Sequence, residues 1–157
     1  MSEGREQSAQ IRLARPDDDA AIASLLYKTF LEYEAQYTPE GFAATVSTPA
    51  LIRHRMNEGP VWVALENAAI VGTVSAVLKD ARLYIRGMAV DPLTRGKSIG
   101  RKLLASTQKY AVQMRCSCMF LSTTPFLSRA IRLYEHYGFH RSSEGPDSLF
   151  GTPLFTM

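Results

Sequence analysis

The chain has 157 residues, 46% of them apolar and 21% charged, which suits one folded domain with a sizeable core and excludes global disorder. Its net charge of +3 is too mild to argue for a nucleic-acid partner, and no apolar run approaches the roughly 20 residues that a membrane span needs. The charge is unevenly spread: residues 1–80 hold seven Lys/Arg against eleven Asp/Glu, and residues 81–157 hold eleven against four. A basic second half suits a phosphate-bearing ligand, and solvated side chains explain it as well.

Residues 1–9 are polar and carry no secretory apolar segment, so they read as a flexible tail before a single domain at 10–157, with a cytoplasmic location expected. Residues 10–14 alternate polar and apolar, as a short strand does. Asp17, after the turn at Arg15-Pro16, is placed to cap a helix through Ala20, Leu25, Leu26 and Phe30. Pro39 opens a second helix with a loose end near Gly59-Pro60. Residues 61–65 and 70–78 are rich in β-branched side chains, with a hairpin turn at 66–69, and 82–90 is the third strand of the run.

A helical pattern follows over 99–114, with Ile99, Leu103, Tyr110 and Met114 on one stripe. Residues 119–121 read as a short buried strand. A helix over 127–137 stops at Gly138, a natural left-handed end, and one or two strands close the chain. Such an order is α/β with an antiparallel meander in the middle, and it lacks the regular alternation of a doubly wound fold. Cys116 and Cys118 have no ligand-spaced Cys or His pair to complement them, so no metal site is expected, and both read as buried or half-buried thiols.

The most informative stretch is Val90-Asp-Pro-Leu-Thr-Arg-Gly-Lys-Ser-Ile-Gly100-Arg-Lys. A strand ends, a basic loop follows and a helix begins, so backbone N–H groups and the positive helix end make an anion site. Walker A spacing fails, because residue 91 is Asp where that motif needs Gly.

Arg95-Gly-Lys-Ser-Ile-Gly100 resembles the acetyl-CoA motif of the GNAT acetyltransferases, Arg/Gln-x-x-Gly-x-Gly/Ala, except at Ser98. A second signature of that family matches throughout as Ala130-Ile-Arg-Leu-Tyr134-Glu-His-Tyr-Gly138-Phe139. The resemblance implies a single-domain GNAT-like α/β fold: a mixed, mostly antiparallel twisted sheet of six to seven strands with about four helices. It implies acetyl-CoA as cosubstrate, its pyrophosphate on Arg95, Gly96, Lys97, Ser98, Ile99, Gly100 and Arg101. The pantetheine arm would pair with Met88, Ala89 and Val90, where such sheets splay open. Tyr134 matches the general acid that protonates the departing thiolate, although packing beside Leu133 and Tyr137 also accounts for the ring.

On this reading the chain moves an acetyl group to a primary amine by direct transfer, without metal. A non-catalytic acyl-CoA sensor is the alternative, because 82–90 lacks the carboxylate that many members use as base. Glu32, Glu34 and Glu66 are candidates for that role, and a water chain is another. Tyr27, Phe30, Tyr33 and Tyr37 form an aromatic face for the acceptor or for the core, and Arg86 is either an acceptor-carboxylate ligand or a surface arginine. The acceptor is expected to be a small molecule or peptide amine, with no nucleic acid and no membrane, and a homodimer is one expected assembly.

Overall fold

The computed structural model describes residues 9–94 and 98–157. Six strands form one sheet in the order β1-β2-β3-β4-β5-β8, taken from Gln10–Leu13, Val61–Glu66, Ala69–Lys79, Arg82–Val90, Cys118–Thr123 and Phe155–Thr156. All neighbours are antiparallel except β4 and β5, whose connection runs through a helix. A small hairpin of β6 (Ser148–Leu149) and β7 (Thr152–Pro153) lies outside the sheet. The helices are α1 (Asp19–Phe30), α2 (Pro39–Val46), α3 (Pro49–Glu58), α4 (Ile99–Gln113) and α5 (Ser128–Tyr137).

Among the described residues five helices stand where about four were expected, because the helix read from Pro39 to Gly59 is two. Ser47 takes a positive φ of 46°, Thr48 caps the next helix by accepting the Leu51 N–H at 3.2 Å, and Pro49 occupies its first turn. Asp17 does not cap α1. It lies in a short 3-10 turn, while the neighbouring Asp18 accepts from the Arg15 N–H at 2.7 Å and pairs with Arg12. Ala9, assigned to the tail, already packs against the core.

The sheet is buried on both faces, which is why β2 reads as an unbroken apolar run rather than an alternation. Val61 and Val63 face a cluster built from Ile22, Leu26, Phe30 and Ile52 of α1 and α3. Trp62 and Ala64 face the opposite cluster, where Ile99, Leu103 and Leu104 of α4 are fully buried. Each of those three contributes about 1.5–3 kcal/mol relative to an exposed position. Met114, expected on that stripe, is 46% exposed, because α4 ends at Gln113 and Met114 lies beyond its last turn. Cys116 is half-buried as expected; Cys118, at the start of β5, is exposed. No helix among the described residues is long and apolar enough to cross a membrane.

Candidate active site

β4 and β5 pair only from Arg82↔Cys118 to Ile85↔Leu121. Beyond Ile85 the strands part, and β5 pairs on its other side with β8. The separation coincides with a bulge in β4: Thr73 faces Ala89 but Ser75 faces Arg86, so β4 holds one extra residue between them. Gly87 supplies the left-handed φ of 65° at that point. An extra residue also switches which side chains face which layer. Leu83 and Ile85 face α4 before the bulge; after it Met88 and Val90 pack on that cluster and Ala89 joins the α1 side.

The Asp91 N–H donates to the Val71 carbonyl at 2.8 Å, so Asp91 turns its backbone toward β3. By strand alternation Ala89 does the same, and Val90 directs its N–H and C=O into the gap. A cleft of about 940 Å³ fills this gap and runs past the start of α4. Met88, Ala89, Val90, Ser98, Ile99, Gly100, Arg101 and Tyr134 all line it. The sites anticipated at Arg95, Gly96 and Lys97 lie outside the described residues.

A tight turn follows β4. The Asp91 carboxylate accepts the Leu93 N–H at 3.0 Å and pairs with Lys28, and the Thr94 hydroxyl donates to the Asp91 carbonyl at 2.9 Å. Ser98 then takes a left-handed φ of 59°, which is the physical reason a glycine serves well there, besides the close approach expected from the motif. The first intrahelical bond is Lys102 N–H to Ser98 carbonyl, so the N–H groups of Ile99, Gly100 and Arg101 begin the helix without intrahelical acceptors. Gly100 has a further role: a Cβ there would lie 2.6 Å from a Leu133 methyl of α5.

Tyr134 is 6% exposed. The Gly138 N–H returns to the Tyr134 carbonyl, and this left-handed turn sets Phe139 edge-on to the Tyr134 ring at 5.9 Å. Burial, and secondarily the nearby Tyr37 phenol, push the Tyr134 hydroxyl well above the ordinary phenol value. It therefore stays protonated at neutral pH. Tyr37, also buried, lines the same cleft, and burial raises its phenol in the same direction. Phe30 and Tyr33 complete an aromatic wall, whereas Tyr27 is half exposed and packs edge-on against Phe42 instead.

None of Glu32, Glu34 and Glu66 reaches the cleft, and no carboxylate lines it among the described residues. Four arginines do: Arg101 and Arg129 beside the helix starts, Arg55 and Arg86 at the bulge. Arg86 pairs with Glu58 at 2.5 Å. Arg55 escaped the sequence reading because nothing local separates it from any other helix arginine. Gly87 inside a strand is the one local signal of the bulge that the sequence carries. Among the described residues no group of three His, Cys, Asp or Glu is placed to hold a metal.

Residues 21–139 match the family model described as Acetyltransferase (GNAT) family. The N-acetyltransferase YjgM of Escherichia coli K12 is 35% identical over 143 residues, covering 85% of this chain and 83% of that protein. The N-acetylaspartate synthetase of Danio rerio is 35% identical over 88 residues, covering 55% of this chain and 31% of that protein. The matched stretch thus spans about a third of that relative's length. Among solved structures, the PaiA N-acetyltransferase of Thermoplasma acidophilum in complex with coenzyme A superposes with a TM-score of 0.80 at 14% identity, covering 96% and 98% of the two chains. The yncA protein of Salmonella typhimurium with its cofactor acetyl-CoA gives 0.71 at 24% identity, covering 96% and 94%.

Proposed function

This chain belongs to the GNAT family of acetyltransferases, and from that premise we propose that it transfers an acetyl group from acetyl-CoA directly to a primary amine. One observation carries the reading: the gap between β4 and β5, the free start of α4 and the Tyr134 ring open into a single cleft. The cosubstrate supplies an activated thioester, and the chain's own groups do the rest.

The N–H groups at the start of α4, with Arg101, bind the pyrophosphate; the Arg101 guanidinium sits 5.9 Å over the Tyr137 ring, which steadies it in the α4–α5 seam. Val90 offers the N–H and C=O that strand alternation directs into the gap to the amide-bearing arm, as an added strand would. A backbone N–H of Met88 or Val90 aimed at the carbonyl oxygen stabilises the charge that develops there, a contribution of roughly 3 kcal/mol in comparable sites. The amine lone pair forms the new C–N bond, the C–S bond breaks, sulfur leaves with the electron pair, and Tyr134 donates its hydroxyl hydrogen toward that sulfur. The ammonium proton passes to water, since no carboxylate lines the cleft among the described residues.

Acetyl-CoA at a hundred times its dissociation constant should stabilise the fold by about 2.7 kcal/mol. An amine panel assayed for thiol release, with acetylated products identified by mass, then tests turnover. Binding without acetylation of any amine would favour the acyl-CoA sensor, and an unchanged melt would remove both readings.

A further inference from the structure

Resting on that reading, we propose that the acceptor is a small amino acid whose carboxylate is held by Arg55 and Arg86 on the α1–α3 side of the bulge. Both guanidinium-bearing residues line the cleft. They approach it from different elements, α3 and β4, and Glu58, which ion-pairs with Arg86, is also the carboxylate that acts on Arg55. Two cations against one carboxylate leave a positive site. The Arg86 Nε–H is buried with no acceptor, a state that costs free energy unless an anion enters its surroundings. Burial and the neighbouring Arg86 charge both act against the charged form of Arg55, so an anion at this point relieves a strain already present in the free protein.

Space for this pair is built into the backbone. A Cβ on residue 87 would lie 3.1 Å from Arg55 Nη1, so glycine at the bulge both supplies the left-handed turn and leaves the guanidinium its seat. Arg86 stands two residues before Met88, about 7 Å of strand at 3.3 Å per residue. An anion there lies within a few bonds of an amine attacking a thioester aligned along Met88 and Val90. Phe30 and Tyr33 also line the cleft, and their rings lower the dielectric within it and strengthen an ion pair formed there. No carboxylate among the described residues lines the cleft to receive a second ammonium, which disfavours polyamines and other polycations. Guanidiniums suit the opposite task, since their planar donors match a carboxylate in pairs.

Matched acceptors test the idea in the intact enzyme: L-alanine against L-alaninamide, L-phenylalanine against phenethylamine, and L-glutamate against L-glutamine, which separates a side-chain carboxylate from the α-carboxylate. Wild-type kcat/KM should favour the first member of at least one pair tenfold or more. Arg55→Gln and Arg86→Gln should each remove most of that preference by raising KM, while the dissociation constant for acetyl-CoA stays within threefold. Equal use of acids and their uncharged partners, a preference for spermidine, or an undiminished preference in both variants would overturn the assignment. Those results would leave the acetyltransferase reading intact. Acetyl-CoA binding with no amine acetylated would instead reject both together.

Discussion

Replacing Tyr134 by Phe removes one hydroxyl from a ring that keeps its packing against Phe139. Among the described residues that hydroxyl makes no hydrogen bond, so no partner is orphaned by its loss. Stability should change by less than about 1 kcal/mol, or roughly 2–4 °C in Tm for a chain of this size. The catalytic effect follows from the same burial. A thiol has a reference pKa near 8.5, and the buried phenol is held well above its own ordinary value, so complete proton transfer to the thiolate is uphill. In the proposed mechanism the hydroxyl would therefore act chiefly as a donor to sulfur while negative charge builds there. A hydrogen bond to a charged group is worth about 1.5–3 kcal/mol, and at 1.36 kcal/mol per decade the loss becomes roughly 10- to 150-fold. It should appear equally in kcat and kcat/KM, because the bond exists only as sulfur departs. Stopped assays of thiol release from pH 6 to 10, with acetyl-CoA affinity measured in parallel, check this. Turnover within twofold of wild type would refute the role, and a large loss in Tyr37→Phe instead would move it to the neighbouring phenol. The raised value also bears on alkaline stability: the contribution is fully present below the unfolded phenol value near 10 and is lost as pH climbs toward the folded one.

Ser98→Gly exchanges relief of the left-handed φ, about 1 kcal/mol, for a similar entropic cost of glycine. Urea midpoints and acetyl-CoA affinity should therefore both stay near wild type, and a tenfold loss of affinity would show that the serine hydroxyl itself binds the donor. Gly87→Ala should cost about 1–2 kcal/mol through its positive φ, lowering Tm by roughly 2–8 °C. It should also raise the acceptor KM by crowding Arg55; an unchanged Tm would mean that the bulge relaxes freely. The hydrogen bond from Arg12 is the first cause holding the Asp18 carboxyl below its ordinary value. Its stabilisation is present above the unfolded value near 3.9 and is lost as pH falls through the lower folded one. Arg12→Met should accordingly flatten the decline of Tm below pH 4, and an undiminished decline would assign the acid sensitivity to other carboxylates.

What residues dictate locally was legible from the chain alone. The hairpin at 66–69 closes through Asn67 and Ala68 with φ of 52° and 67°, the left-handed end of α5 falls on Gly138, and both family motifs are contiguous stretches whose chemistry needs no distant partner to be recognised. Even the break between α2 and α3 has a local signal, in Thr48-Pro49. Other features depend on chain segments meeting in space, and no window of sequence holds them. The face that each β4 side chain presents reverses at Gly87, because one inserted residue shifts a period of two by half its length. Arg55 comes beside Arg86 only when α3 packs across that bulge, and Tyr134 comes near Tyr37 only when α5 and the segment after α1 close on one cleft. Burial, charge balance and the height of a phenol's pKa are sums over such neighbours. The sequence by itself determined the family and carried both of its motifs as contiguous stretches; the tertiary structure alone decided what faces them across the cleft, because that wall is assembled from residues far apart in the chain.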